Sequence, residues 1–196
     1  GTKDASVVMT VSADIPTLGS TDVRRQVRLT PLVIRYGSDA DLNLVARYYS
    51  EEGAPLTFGP LPPEVGKTTG YRVYWNLSKK LHALEDVQVS AILPKIVAWS
   101  GKNDKASGEF MYDEVTRKVT WKLKRMPAEV NVLEAWFEVQ LTPDKTDAGR
   151  FAALLGETSF DAKDIVLNET ISRKKPGLTT DLQQDDGAKG KGVVRN

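Results

Sequence analysis

The chain has 196 residues, 40% of them hydrophobic, enough apolar material for one large core or two small ones. Lys+Arg 27 against Asp+Glu 26 leaves a net charge of +1, which argues against nucleic acid or an anionic membrane surface as the main partner. With no cysteine, disulfides, thiolate nucleophiles and zinc–thiolate sites are excluded. No stretch approaches the roughly 20 apolar residues of a membrane helix, and the opening GTKDASVVMTV is too polar and short for a signal peptide.

Period-two alternation dominates from the start. Val7, Met9 and Val11 share one face of SVVMTVSADI. In RRQVRLTPLVIRYG, Val27 and Leu29 alternate with polar residues before Pro31, and Leu32 to Ile34 follow. DLNLVARYYS places Leu42, Leu44, Ala46 and Tyr48 on one face, and GYRVYWNLSK does the same for Tyr71, Val73, Trp75 and Leu77. Val87, Val89 and Ala91, then Val119, Trp121 and Leu123, then Ala135, Phe137, Val139 and Leu141 continue the pattern. GRFAALLGETSF and KDIVLNETISRK are the last predicted strands, with Val166 and Ile171 inward in the latter.

Turn chemistry separates these runs at Gly37-Ser38-Asp39, Pro60 to Gly66, Pro94, Ser100 to Asn103, Pro127 and Pro143-Asp144. About ten short strands without convincing helices predict an all-β fold, an antiparallel sandwich of two sheets. A boundary is expected near Gly53. Residues 1–53 then form an N-terminal strand region that packs on or completes the sandwich, 54–175 form the sandwich, and the polar, Gly-rich 176–196 form a flexible tail or linker. Pro60, Pro62 and Pro63 cannot donate to a ladder, so GPLPPEVG reads as a stiff connection that fixes where the Tyr71 strand begins, with a polyproline II ligand for an aromatic groove as the alternative.

GPLPPEVGKTTGYRVYWNLSKKLHALEDVQVSAILPKIVAWSG resembles the Ig-like repeat domains of bacterial and archaeal surface proteins of the DUF11 type. Leu93-Pro94, Val97 and Trp99, Val119-x-Trp121-x-Leu123, Pro127-Ala128 and Phe137-x-Val139-x-Leu141-Thr142-Pro143 keep that pattern's order. Lys79-Lys80 depart from it, standing where an Asn-Thr or Asn-Ser turn is usual. The resemblance implies an Ig-like β-sandwich in an exported, cell-surface or envelope protein, and a structural rather than an enzymatic role.

The inventory for catalysis is thin. His82 is the sole histidine; a Ser-His-Asp arrangement would need it with Asp86 or a distant carboxylate, and the expected alternative is an exposed turn histidine. Glu51-Glu52, Glu85-Asp86 and Asp185-Asp186 are adjacent carboxylates, which on a strand point to opposite faces and do not converge on one substrate. Oxygen ligands for calcium cluster in three loops, at Asp39, Asp41 and Asn43, at Asp144 and Asp147, and at Asp161 and Asp164, against the roughly six to eight that ion requires. Trp75 and Trp121 share faces with aliphatic residues and are expected in the core, while Trp99 is expected to seal one end. Trp136 falls out of phase with Phe137 and Val139. With Tyr48 or Tyr49 it is the candidate platform for a glycan or peptide. Asn76 and Asn168 begin N-glycosylation sequons.

The expected function is therefore a non-catalytic spacer, stalk or assembly module at the cell surface, joined to other domains or to neighbouring copies through strand edges. A glycan- or peptide-binding module is the alternative. The sparsely charged segment ASVVMTVSADI is the expected pairing element.

Overall fold

The computed structural model describes residues 6–196, whose regular structure is strand apart from one 3-10 turn at Lys145–Asp147. In chain order the first strands are β1 (Ser6–Met9), β2 (Ser12–Leu18), β3 (Thr21–Arg28) and β4 (Leu32–Arg35). They are followed by β5 (Asp41–Arg47), β6 (Thr69–Ser78), β7 (Leu84–Ile92), β8 (Val97–Lys105), β9 (Glu109–Asp113), β10 (Lys118–Met126) and β11 (Val132–Leu141). The last are β12 (Ala153–Leu155), β13 (Thr158–Asp164), β14 (Glu169–Lys175) and β15 (Leu178–Thr179).

Two antiparallel sheets carry the core, one in the order β14-β13-β7-β10-β9 and the other β5-β6-β11-β8. Their inner faces come from the predicted alternation: Tyr71, Val73, Trp75 and Leu77 of β6 are buried, as are Val119, Trp121 and Leu123 of β10. Trp75 meets Phe137 edge-on at 4.9 Å, and Phe110 of β9 lies between Trp75 and Trp121 at 5.8 and 6.3 Å. Each such ring contributes roughly 3 kcal/mol through burial, which is how a chain without disulfides sustains this fold. The molecule is an Ig-like antiparallel β-sandwich with an additional N-terminal strand region.

That region is a long hairpin arm. Strand β1 pairs with β4 and β2 with β3, and the Leu29 N–H donating to the Val11 carbonyl at 3.0 Å joins the two ladders into one. The register sets Val7 opposite Ile34, Met9 opposite Leu32 and Ala13 opposite Val27. None of the four strands belongs to a sheet of the sandwich. Ala5, the first residue of the predicted pairing segment, lies outside the described residues.

Four expectations are corrected. Strand β5 pairs with β6 along its whole length, from Asp41–Ser78 to Arg47–Arg72, so this part of the N-terminal region completes the sandwich and the boundary lies before Asp41, not near Gly53; Leu42 and Leu44 are buried between the sheets while β6 satisfies the backbone of β5. Residues 176–196 are no flexible tail. Leu182, Ala188 and Val194 are buried in the core cluster, and β15 pairs with β12. The backbone closes this strap: Arg195 N–H donates to Pro63 O and Val65 N–H to Arg195 O, both at 2.8 Å, while Val194 N–H donates to Arg150 O at 3.0 Å. Gly192 is required here, because a Cβ would collide with the carbonyl of Thr180. Third, β8 runs straight through the turn expected at Ser100 to Asn103; Gly101 at φ 84 absorbs a bulge where the register to β11 shifts between Phe137 and Val139. Fourth, KDIVLNETISRK breaks into β13 and β14 at a turn in which Asn168 takes φ 59, leaving Val166 half-buried in the turn. The Pro loop is a connection, and its backbone is engaged by the strap.

Candidate functional site

Of the three buried carboxylates among the described residues, Glu138 pairs with Lys102 at 3.2 Å, and the other two organise the ends of the sandwich. The first is Asp164, at the end of β13. Its side chain and that of His82 are both 0% exposed, with His82 Nδ1 2.8 Å from Oδ2 and 3.0 Å from Oδ1. Asp164 also accepts from the backbone N–H of Ser38 at 2.8 Å, Val166 at 2.9 Å and Leu167 at 3.2 Å. Burial alone would raise this carboxyl, but the donors from Ser38, His82, Leu167 and Val166 outweigh it and bring it down to about 2. Asp164 is thus held as an anion at neutral pH, and the Nδ1–H of His82 donates to it.

Ser38, His82 and Asp164 contain the residue types of a hydrolytic triad, in the wrong arrangement. The Ser38 Oγ accepts from the His82 backbone N–H at 3.0 Å and lies 3.4 Å from its carbonyl, while Nε2 of His82 has no hydrogen-bond partner. A nucleophile needs its proton within reach of that nitrogen and a path for substrate. Here Ser38 is 8% exposed and the other two side chains are sealed. The cluster pins the loop before β5 onto the ends of β7 and β13. His82 is buried and not the expected exposed turn histidine, and its carboxylate partner is the distant Asp164, not Asp86.

The second carboxylate is Asp185, 1% exposed. Oδ2 accepts from the backbone N–H of Tyr48 at 2.7 Å and of Tyr49 at 2.8 Å, and Oδ1 from Gly187 and Ala188, both at 3.1 Å. Four N–H groups on one carboxylate tie the strap to the end of β5. Neither carboxylate announced itself in the sequence beyond its turn chemistry: Asp-Ile-Val-Leu and Asp-Asp-Gly-Ala both suit a side chain that bonds its own backbone two or three residues on.

The calcium candidates do not gather. Asp39 is exposed, and Asp41 pairs with Lys175 at 2.7 Å. Asp144 and Asp147 form a capping box on the 3-10 turn, Asp161 accepts from Ser172 Oγ at 2.6 Å, and Asp164 is spent on His82. Among the described residues no three His, Cys, Asp or Glu side chains assemble around a common point. Three carboxylate pairs, each with its own protein partners, do not fit a cation that needs about six oxygens.

The aromatic platform is not assembled either. Tyr48 turns inward, 7% exposed, and donates its hydroxyl to Gly59 O at 2.7 Å. Tyr49 packs edge-on against it at 4.9 Å. Trp136 is on the opposite, outer face of its sheet beside Tyr74, with the Arg72 guanidinium 3.9 Å over its ring. Of the paired carboxylates, Glu51 and Glu52 are exposed, Glu51 pairing with Arg47 at 3.2 Å, and Asp185 is buried while Asp186 is exposed. Asn76 sits within β6 and Asn168 on an exposed turn. Lys79, at the resemblance's point of departure, is 2% exposed and donates to Ala128 O at 3.0 Å; burial lowers its pKa.

Fold and pinned ends together define an Ig-like sandwich whose polar clusters hold structure in place. No family model matches the chain, and no curated protein is similar to it. Solved structures do resemble it in fold. The RrgA Jo.In complex is matched at 11% identity and a TM-score of 0.45, over 68% of this chain and 76% of that one. A variant of BcpA, the major pilin subunit of Bacillus cereus, is matched at 10% identity and 0.49, over 81% and 50%. The full-length major pilin SpaD from Corynebacterium diphtheriae is matched at 9% and 0.42, over 71% and 34%. The chain thus spans half of the BcpA chain and about a third of SpaD. At these values the functional reading rests on the chain's own geometry.

Proposed function

We propose that this chain is a non-catalytic structural and assembly module of a cell-surface protein, in the manner of the DUF11-type surface domains its sequence pattern resembles. The observation that carries this reading is the use made of its buried polar groups. His82, Asp164, Ser38 and Asp185 all bond to backbone or to one another and face no open cleft, which is how a load-bearing scaffold spends charge. Antiparallel ladders on both sides of each inner strand, a backbone-bonded strap and a rigid Pro loop resist opening without a disulfide.

Pulling the full chain between residue 6 and residue 196 by single-molecule force spectroscopy tests this. The arm unzips first at low force, releasing about 100 Å from its 30 residues, and the sandwich then yields in one separate event at much higher force. Yielding of the sandwich together with the arm overturns the reading, as does hydrolysis of an ester, peptide or glycoside probe that is lost in His82→Ala.

A further inference from the structure

We infer that the hairpin arm is a self-association element whose apolar face docks against the same face of a second copy of this chain. The inference deepens the assembly role above and rests on it for its purpose, though not for its evidence.

Side chains directly opposite one another in an antiparallel ladder share a face. Val7 with Ile34, Met9 with Leu32 and Val11 with Leu29 therefore fall on one side of the arm, and Ala13 with Val27 extend it towards the tip. The register slips by one residue at Thr30-Pro31, between the Met9–Leu32 pair and the Val11–Leu29 contact. That slip is what keeps Leu29 and Val27 on the same side as Leu32 and Ile34. The other side carries Ser12, Asp14, Gln26 and Arg28, with the exposed pair Val8 and Val33 at the base of the arm, and the apolar side ends at the tip where Ile15 stands opposite Arg25.

The apolar side is bare. Leu29 is 60% exposed, Leu32 57% and Met9 53%, and the rest of the face is similarly open. Together these side chains present on the order of 700 Å² to water, against the roughly 800 Å² one partner contributes to a stable interface and the few hundred that a monomer normally leaves in one patch. A two-stranded hairpin is only marginally stable alone, and a third layer or a facing sheet is what secures it.

The occupant follows from what else the molecule offers. Outside the arm, the large exposed hydrophobic residues among those described fall on separate strands and loops, as with Phe58, Ile92, Met111 and Val132. Phe151 and Val193 meet in a single bridge, a pair set against the arm's row of Val7, Met9, Val11, Val27, Leu29, Leu32 and Ile34. A matching surface is the arm itself: aliphatic and free of charge from Val7 to Val27, with Arg25 beyond it at the tip. Copy against copy sets no like charges together, and two twisted ribbons packed face to face at about 10 Å make a small four-stranded sandwich with two-fold symmetry. A bilayer suits the arm less well, because both long edges carry unpaired backbone groups that hydrocarbon cannot satisfy.

The test is sedimentation equilibrium on the full chain from about 1 to 100 µM, with Leu29→Lys on the apolar face and Val33→Lys on the other. The arm holds no tryptophan, so Trp fluorescence reports independently that the sandwich is intact in each variant. The expected result is a dimer whose Kd rises about 100-fold or more in Leu29→Lys and changes little in Val33→Lys. A wild-type monomer throughout, equal effects of both substitutions, or no effect of either overturns the proposal. Co-sedimentation with phosphatidylglycerol vesicles that needs Leu29, from a chain that stays monomeric, reassigns the face to a membrane. A monomer whose sandwich still resists load removes this inference alone, whereas a dimer whose sandwich yields easily removes the structural reading alone.

Discussion

The carboxylate of Asp185 accepts the backbone N–H of Tyr48 at 2.7 Å across 137 residues of sequence. That bond joins the strap to β5, the edge strand of its sheet, and the same oxygen takes the Tyr49 N–H at 2.8 Å. This side chain therefore adds to the strap's backbone bonds a tie between segments far apart in sequence.

Replacing Asp185 with Ala strands the N–H groups of Tyr48, Tyr49, Gly187 and Ala188 in a buried site. The expected loss is about 3 kcal/mol, or a fall in Tm of roughly 6–12 °C for a domain of this size. Differential scanning calorimetry at neutral pH measures it. A Tm within about 2 °C of wild type would show that water replaces the carboxylate without cost.

Acid should expose the contribution of Asp164. Its folded-state value of about 2 lies below the ordinary 3.8, so the unfolded chain binds the proton more readily between these values. The stabilisation is complete above pH 3.8 and is lost as pH falls through 2, amounting to about 2 kcal/mol. Urea midpoints taken from pH 5 down to pH 2 should fall more steeply for wild type than for Asp164→Asn. Parallel curves would contradict the assignment.

The aromatic centre gives a third expectation. Phe137 is fully buried and touches Trp75, Trp99 and Phe110 at 4.9, 5.2 and 5.7 Å. Phe137→Ala leaves a cavity between the sheets and costs about 4 kcal/mol, while Trp136→Ala, one residue along on the outer face, costs about 1 kcal/mol or less. Chemical denaturation of the two variants gives the comparison, and equal losses would mean the alternation has been misassigned.

Gly192→Ala drives a Cβ into Thr180 O and should free the strap locally. Amide hydrogen exchange is expected to accelerate at least tenfold at Val65, Val194 and Arg195, whose N–H groups close it, with little change at Val73 or Val119 in the centre of the sheets. Uniform acceleration would mean the strap and the sandwich open together.

Much of the fold was legible because burial writes a two-residue rhythm into each inner strand, and Trp75 and Trp121 fell inward as their neighbours required. The strap was not legible. Leu182, Ala188 and Val194 are spaced too widely to make a period, and the residues that cover them are far away in sequence. The same limit hid Asp164 and Asp185, whose donors come from Ser38 and Tyr48. The arm shows the converse case, since alternation in SVVMTVSADI reveals a strand with an apolar side but not whether anything lies against it. The platform of Trp136 failed with Tyr48 on phase, since Tyr48 continues the inward series of Leu42, Leu44 and Ala46 while Trp136 stands on the other side of its sheet, and with Tyr49 on contact, since that ring packs against Tyr48.

The strap also sets an order of events for a nascent chain. Until Asp185 and Val194 have left the ribosome, Tyr48 lacks its acceptor and the Pro loop its neighbour, so early-made strands wait unsealed while synthesis proceeds. A truncated product released short of that point lacks the seal at that end, leaving the Tyr48 and Val65 N–H groups without their partners.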